Sequence, residues 1–154
     1  MVDPTLDTFD LPHVLLEWEK DCKIDELDLS STMRDTPKLH AKYIRFLSIA
    51  KGILRNNAVR YQKLRKIKFR YYRGEMTQEE LKKLGWAQWQ GVKPLKNEMD
   101  EFLKGDKDLV EWETRIINSE TAISTLEQIV RSINSRGYDI RTMLEIKKFY
   151  NGVN

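Results

Sequence analysis

The sequence predicts an all-α protein whose long helices pack in an elongated, coiled-coil-like array, and three observations carry this prediction. Apolar residues recur every three or four positions over two long stretches, which is the spacing of one helical face. No stretch shows the alternating pattern of a strand. Charged residues make up 33% of the chain, which is high for a compact globule and suits long helices with solvated polar faces.

An acidic N-terminal region covers residues 1–36. Within it, residues 13–20 form a short amphipathic helix that begins at Pro12, because proline is compatible with the first turn of a helix. Residues 22–36 are polar and broken, which predicts an irregular segment. The first ten residues lack the basic and apolar stretches of a secretory signal, and no apolar run is long enough to span a membrane. We therefore expect a cytoplasmic protein without a membrane-spanning helix. Membrane binding is not expected either, because the apolar stripe of the basic helix is aromatic and of the helix-packing type, with cations on several sides.

A long basic helix is predicted over residues 37–74. Pro37 begins it and Gly74 ends it, in keeping with the preference for proline at helix starts and glycine just after helix ends. From Thr36 to Arg73 there are twelve Lys or Arg residues and no Asp or Glu, whereas the chain on either side carries net negative charge. The positive charge of the protein is therefore concentrated in this one helix.

Two short helices and a tryptophan-containing loop are predicted over residues 75–105. Residues 77–80 form a capping box that opens the first helix. The loop after it carries Trp86 and Trp89 between two glycines, and these rings either seal the core of the subunit or dock on a neighbouring subunit. The second helical segment is predicted over residues 95–104.

A second long helix and a C-terminal helix are predicted over residues 106–154. Asp106 caps the long helix, which runs to about Arg136, and Gly137 then separates it from the last helix. The apolar stripe of the long helix resembles a coiled-coil seam and packs either inside the subunit or between subunits. The last helix either folds back on the long one or reaches a neighbouring subunit. Its apolar face, the predicted oligomerisation surface, consists of Ile140, Met143, Leu144 and Phe149.

The basic helix is the strongest indication of function. Its last turns place cations beside aromatic rings, and a nucleic-acid strand needs cations to replace its counterions and flat rings on which unstacked bases can lie. An ordinary solvated face usually mixes acidic and basic residues. An acidic protein partner, the acidic N-terminus or a plain solvated face remain alternatives. Either Tyr71 or Tyr72 stacks on bases, or Tyr71 continues the apolar stripe. The residues predicted to hold phosphates are Lys63, Arg65, Lys66, Lys68, Arg70 and Arg73.

No catalytic constellation, metal site or cofactor motif is visible in the sequence. His13 and His40 are far apart and have no second histidine at metal-ligand spacing. Cys22 is the only cysteine, which excludes an internal disulfide framework and a cysteine-based zinc site. The phosphate-binding and nucleophile motifs of common enzyme families do not occur. We therefore predict a non-enzymatic protein without cofactor or metal.

Several short blocks, in collinear order over roughly residues 15–152, resemble the UvsY family of recombination mediators from T-even-like bacteriophages. None of the blocks is specific alone, and the resemblance rests on their order. They are Trp18–Asp25, Pro37–Tyr43, Tyr71–Gly74, Leu84–Trp86, Asp106–Leu109, Ser132–Ile140 and Lys148–Gly152.

This resemblance implies a mediator that binds single-stranded DNA as a hexameric or heptameric ring. It implies contacts with the phage recombinase and the phage single-stranded-DNA-binding protein, so that the first replaces the second during recombination, repair and recombination-dependent replication. The resemblance implies that the family's characteristic cations correspond to Lys66 and Lys68, and that the C-terminal helix mediates assembly. It also implies that the protein acts in the cytoplasm of the infected bacterial host. The alternative is a helical scaffold or phage structural protein whose basic helix binds an acidic protein partner.

Overall fold

The computed structural model describes residues 8–152, and this part of the chain contains five α-helices and no strand. The helices are α1 (Leu11–Asp21), α2 (Leu29–Tyr72), α3 (Gln78–Leu84), α4 (Met99–Lys104) and α5 (Lys107–Tyr150). The all-α prediction with two long helices is therefore confirmed. No helix within the described residues is long and apolar enough to cross a membrane. Residues 1–7 and 153–154, the outer ends of the predicted terminal regions, lie outside the described residues.

Helix α2 begins at Leu29, so the predicted start at Pro37 is wrong. The carboxylate of Asp28 accepts a hydrogen bond from the backbone N–H of Ser31 at 2.9 Å, as a helix N-cap does. Pro37 lies inside the helix, where a proline costs about 3 kcal/mol. Leu29 and Thr32 are buried, and the packing of this added segment helps to offset that cost.

Helix α5 continues through Gly137, so the predicted break there is wrong, and the last turns do not fold back. A glycine inside a helix lowers the stability of that helix by only about 1 kcal/mol relative to alanine, which contacts of neighbouring residues can outweigh. The guanidinium of Arg136 donates hydrogen bonds to the carbonyl oxygens of Cys22 at 2.9 Å and Lys23 at 2.7 Å. Ile140, one turn later, is buried. The chain is thus held on both sides of Gly137.

The caps of two helices are confirmed. In the capping box of α3, Thr77 Oγ1 accepts from the backbone N–H of Glu80 at 3.2 Å, and Glu80 Oε2 accepts from the backbone N–H of Thr77 at 2.8 Å. Asp106 caps α5 by accepting from the backbone N–H of Leu109 at 3.0 Å. Helix α4 is shorter than predicted, because the chain from Leu95 first forms a turn and the helix begins at Met99.

Buried side chains form a core in each of two compact units. Unit 1 consists of Met1–Ile53 and Ser119–Asn154, and unit 2 of Leu54–Asn118, so α2 and α5 contribute residues to both. The core of unit 1 contains Val14, Tyr43, Ala50, Leu126, Ile129 and Ile133. The core of unit 2 contains Met99, Leu103 and Leu109, with Tyr61, Leu64, Phe69 and Tyr72 packed against it. Stripe positions of α5 in both units therefore pack inside the subunit.

Candidate nucleic-acid interface

The solvent-facing side of α2 in unit 2 is a basic surface, which we call the basic face. Its side chains recur three or four positions apart, so they lie on one side of the helix, and every one of them is exposed. Five of the six are cations, and no carboxylate interrupts them along the helix. The basic face consists of Arg55, Val59, Lys63, Lys66, Arg70 and Arg73.

Three cations of the basic face have no anionic partner among the described residues. Arg55, Lys63 and Lys66 have no carboxylate within 4.0 Å in residues 8–152. Two open grooves of about 320 and 340 Å³ lie along this face, and both are lined by Lys66 and Gln62. The basic face therefore presents free positive charge beside shallow depressions.

Other predicted cations are held by exposed carboxylates from the connection that follows α2. Arg65 pairs with Asp100 at 2.8 Å, and Arg73 pairs with Glu75 at 2.7 Å. The two guanidinium nitrogens of Arg70 donate to the two carboxylate oxygens of Glu80, at 2.9 and 3.1 Å.

Pairing with Arg70 also lowers the pKa of the Glu80 carboxyl group. The hydrogen bond from Arg70 is the main cause, and the bond from the Thr77 backbone adds to it, so that the pKa of Glu80 falls to about 2. Glu80 thus stays ionised over the physiological pH range while it is paired with Arg70.

Lys68 lies away from the basic face and is buried, although the sequence predicted it as a phosphate contact together with Lys66. Two residues further along an α-helix lie about 200° around its axis. Lys68 is 7% exposed, and its Nζ lies 3.0 Å from Asp106 Oδ2 and 2.6 Å from Asp108 Oδ2. The same nitrogen lies 4.3 Å from the centroid of the Trp86 ring.

The Lys68 cluster remains ionised although it is largely withdrawn from water. Burial alone would lower the pKa of Lys68, but hydrogen bonds to Asp108 and Asp106 outweigh it and the pKa is raised. Burial alone would raise the pKa of Asp106, but hydrogen bonds from Tyr72 and Lys68 outweigh it and the pKa is lowered. The cluster therefore joins α2 to the start of α5 by a charged contact.

The predicted base-stacking tyrosines are packed against the tryptophans of the loop. Tyr71 donates from its hydroxyl to the carbonyl of Ala87 at 2.9 Å, and Tyr72 donates to Asp106 Oδ2 at 2.6 Å. The ring of Tyr71 lies 5.2 Å from that of Trp86, and the ring of Tyr72 lies 4.9 Å from that of Trp89, both edge to face. Both tryptophans are thus half-buried within unit 2.

The predicted oligomerisation face separates into a buried and an exposed part. Ile140 is 4% exposed and, with Leu29 and Met33, lines a groove of about 390 Å³ within unit 1. Met143 is half-buried. Leu144 and Phe149 are 44% and 81% exposed. Tyr150, which the apolar spacing did not indicate, follows Phe149 directly and is equally exposed.

Comparison with known proteins identifies the family. The family model described as recombination, repair and single-stranded-DNA-binding protein UvsY matches residues 17–153. The chain belongs to the UvsY family. This confirms the resemblance seen in the sequence blocks, and it places the basic face within a family described as binding single-stranded DNA. No curated protein matches the chain.

Solved structures of a UvsY protein support the fold. Two crystal forms of the bacteriophage T4 recombination mediator protein UvsY match with a TM-score of 0.78 and 21% identity, covering 92% and 90% of this chain and 97% and 98% of theirs. A third form matches with a TM-score of 0.76 and 22% identity, covering 92% of this chain and 98% of that one. At this identity the likeness concerns the helical fold.

Proposed function

We propose that this UvsY-family protein binds single-stranded DNA through the basic face of α2. The observation that carries the proposal is the pair Lys63 and Lys66, which are exposed and free of carboxylates among the described residues. A cation already paired with a carboxylate must break that pair before it holds a phosphate, whereas these two release only solvent and counterions. They are therefore the primary phosphate contacts.

Arg65, Arg70 and Arg73 act as secondary phosphate contacts in this proposal. Ion pairs as exposed as theirs are weak and are screened by salt. The bidentate contact of Arg70 with Glu80 has a geometry that a guanidinium can also form with a phosphate. These arginines exchange a carboxylate for a phosphate when DNA arrives.

Lys68 and the two tyrosines act as positioning residues in this proposal. Lys68 holds α2 to the start of α5 through its aspartates. Tyr71 and Tyr72 hold the loop that carries Trp86 and Trp89. Contacts made mainly to phosphates carry no sequence information, so we expect binding with little sequence preference.

At the biological level, we propose that an oligomer promotes loading of the phage recombinase onto DNA covered by the phage single-stranded-DNA-binding protein. Membership of the UvsY family supports this role. Exposed Leu144 and Phe149 are the proposed contacts between subunits, in a hexameric or heptameric ring in the cytoplasm of the infected bacterial host. Several copies of the basic face on one strand raise the affinity through effective concentration.

A titration of the protein with oligo-dT at several salt concentrations tests the DNA-binding proposal. If about five phosphates are neutralised per subunit, log Kobs falls with log salt at a slope near −3.5, at about −0.7 per phosphate. Heparin should compete with oligo-dT. A slope near zero, or an unchanged DNA complex in excess heparin, would favour the alternative, a scaffold or phage structural protein that binds an acidic protein.

A further inference from the structure

Lys93 lies beside the C-terminal end of α2. Gly74 follows the helix with a φ of +67°, a conformation that favours glycine. Because Gly74 has no side chain, Lys93 occupies the adjacent space. Its Cε lies 3.1 Å and its Nζ 3.4 Å from the point where a Cβ of residue 74 would stand. The lysine thus lies beside the residue that follows Arg73, the last residue of the basic face.

The ammonium of Lys93 is unpartnered among the described residues. Its side chain is exposed, and no carboxylate of residues 8–152 lies within 4.0 Å of it. Two carbonyl oxygens at the end of α2 are satisfied without it. The backbone N–H groups of Gly74 and Glu75 donate to the carbonyl oxygens of Tyr71 and Arg70, both at 3.0 Å. Lys93 takes no part in these two capping hydrogen bonds.

The chain before Lys93 is held by specific contacts. Trp89 Nε1 donates to the carbonyl of Val92 at 3.2 Å. The indole of Trp89 also lies against Gly91, where a Cβ would come within 2.3 Å of the ring. Pro94, the next residue after Lys93, is buried. The loop thus places a free cation at a defined point.

We infer that Lys93 is a further phosphate-binding residue, and that a single strand bound to the basic face continues past Gly74 onto the loop at residues 86–94. This inference rests on the proposed function, since it extends the same DNA path. An exposed ammonium that is not paired with a carboxylate binds a phosphate at little desolvation cost and releases a counterion when it does so.

The experiment compares four full-length variants, Lys93→Gln, Lys93→Arg, Lys96→Gln and Lys66→Gln, by titration with oligo-dT at several salt concentrations. Lys96 is the matched control, because it is an exposed lysine of the same connection that does not lie against Gly74. We expect Lys93→Gln to weaken binding several-fold at low salt and to make the salt slope shallower by about 0.7. Lys96→Gln should change neither quantity, and Lys93→Arg should restore both.

The outcomes separate this inference from the proposed function. If Lys66→Gln weakens binding and Lys93→Gln changes neither affinity nor slope, the inference is wrong and the basic face still stands. If neither variant weakens binding, the proposed function itself fails. A lowered melting temperature of Lys93→Gln with unchanged affinity and slope would show that the lysine stabilises the helix end, which also overturns the inference.

Discussion

The ammonium of Lys68 lies 2.6 Å from the carboxylate of Asp108, across a separation of forty residues in the chain. Together with Asp106 it forms a buried ionic contact between the basic helix and the start of α5. Lys66, two positions away, is exposed and has no carboxylate partner among the described residues. Two lysines that look equivalent in the sequence therefore have different environments, and they should respond differently to substitution.

Lys68→Ala should lower the free energy of unfolding by roughly 3 kcal/mol, because Asp106 would remain buried without its cation. The loss should lie at the lower end of the usual range because the side chain of Asp108 is 49% exposed. Urea denaturation followed by circular dichroism measures this, with Lys66→Ala as the matched control, which should stay within about 0.5 kcal/mol of the native chain. Equal stability of the two variants would contradict the assignment of Lys68 as a positioning residue.

Unit 2 should become less stable to unfolding at low pH because Asp106 becomes protonated. Its pKa is lower in the folded protein than the ordinary value of 3.8, so the stability it contributes is fully present above about pH 4. That contribution is lost as the pH falls through the lower, folded pKa. Asp106→Asn should be less stable at pH 7, and the difference from the native chain should shrink as the pH falls below about 4. Urea midpoints over that range measure it, and a difference that grows towards low pH would exclude this linkage.

Gly91→Ala should displace the indole of Trp89, because the new Cβ would stand 2.3 Å from the ring. Overpacking of this kind costs about 1–3 kcal/mol. Gly52→Ala is the matched control, since no atom beyond the adjacent residues and the nearby backbone of its own helix lies within 4 Å of its Cβ position, and alanine favours the helix by up to about 1 kcal/mol. Thermal melts and tryptophan emission measure both variants. An unchanged spectrum and stability for Gly91→Ala would show that the indole does not lie against the glycine.

Leu144→Ala with Phe149→Ala should give smaller species that keep their helicity, because both side chains are exposed at the end of α5. Ile140→Ala is the contrasting variant. It removes a buried side chain and should cost about 2–5 kcal/mol within the subunit. Sedimentation velocity alongside circular dichroism separates the two effects. An oligomer of unchanged mass in the double variant would place the subunit contact elsewhere.

Local signals in the sequence predicted the starts of α3 and α5. Thr77 and Asp106 each accept a hydrogen bond from a backbone N–H in the first turn of a helix, and such contacts involve residues only a few positions apart. The start of α2 and the continuity of α5 were mispredicted because proline is common in the first turn of a helix and glycine is common just after its last residue. At both points, burial of nearby residues outweighs the local preference.

The candidate site could be predicted only in part for the same reason. The acid-free segment 36–73 located the basic helix, but not the sides on which its cations lie. Lys68 meets Asp108, forty residues away, and Arg65 meets Asp100, thirty-five residues away. The positions of Lys68 and Arg65 in the sequence do not reveal partners at such a distance along the chain. Lys93 becomes part of the site only because Gly74 leaves room for it.

The central claim is that Lys63 and Lys66 hold DNA phosphates, and the double variant Lys63→Gln with Lys66→Gln tests it most directly. The measurement is the affinity for oligo-dT as a function of salt, with melting temperature and sedimentation measured on the same samples. We expect a large loss of affinity and a slope shallower by about 1.4, or twice the 0.7 of one phosphate, while stability and oligomer mass stay unchanged. Unchanged affinity and slope in a folded, fully assembled variant would contradict the claim.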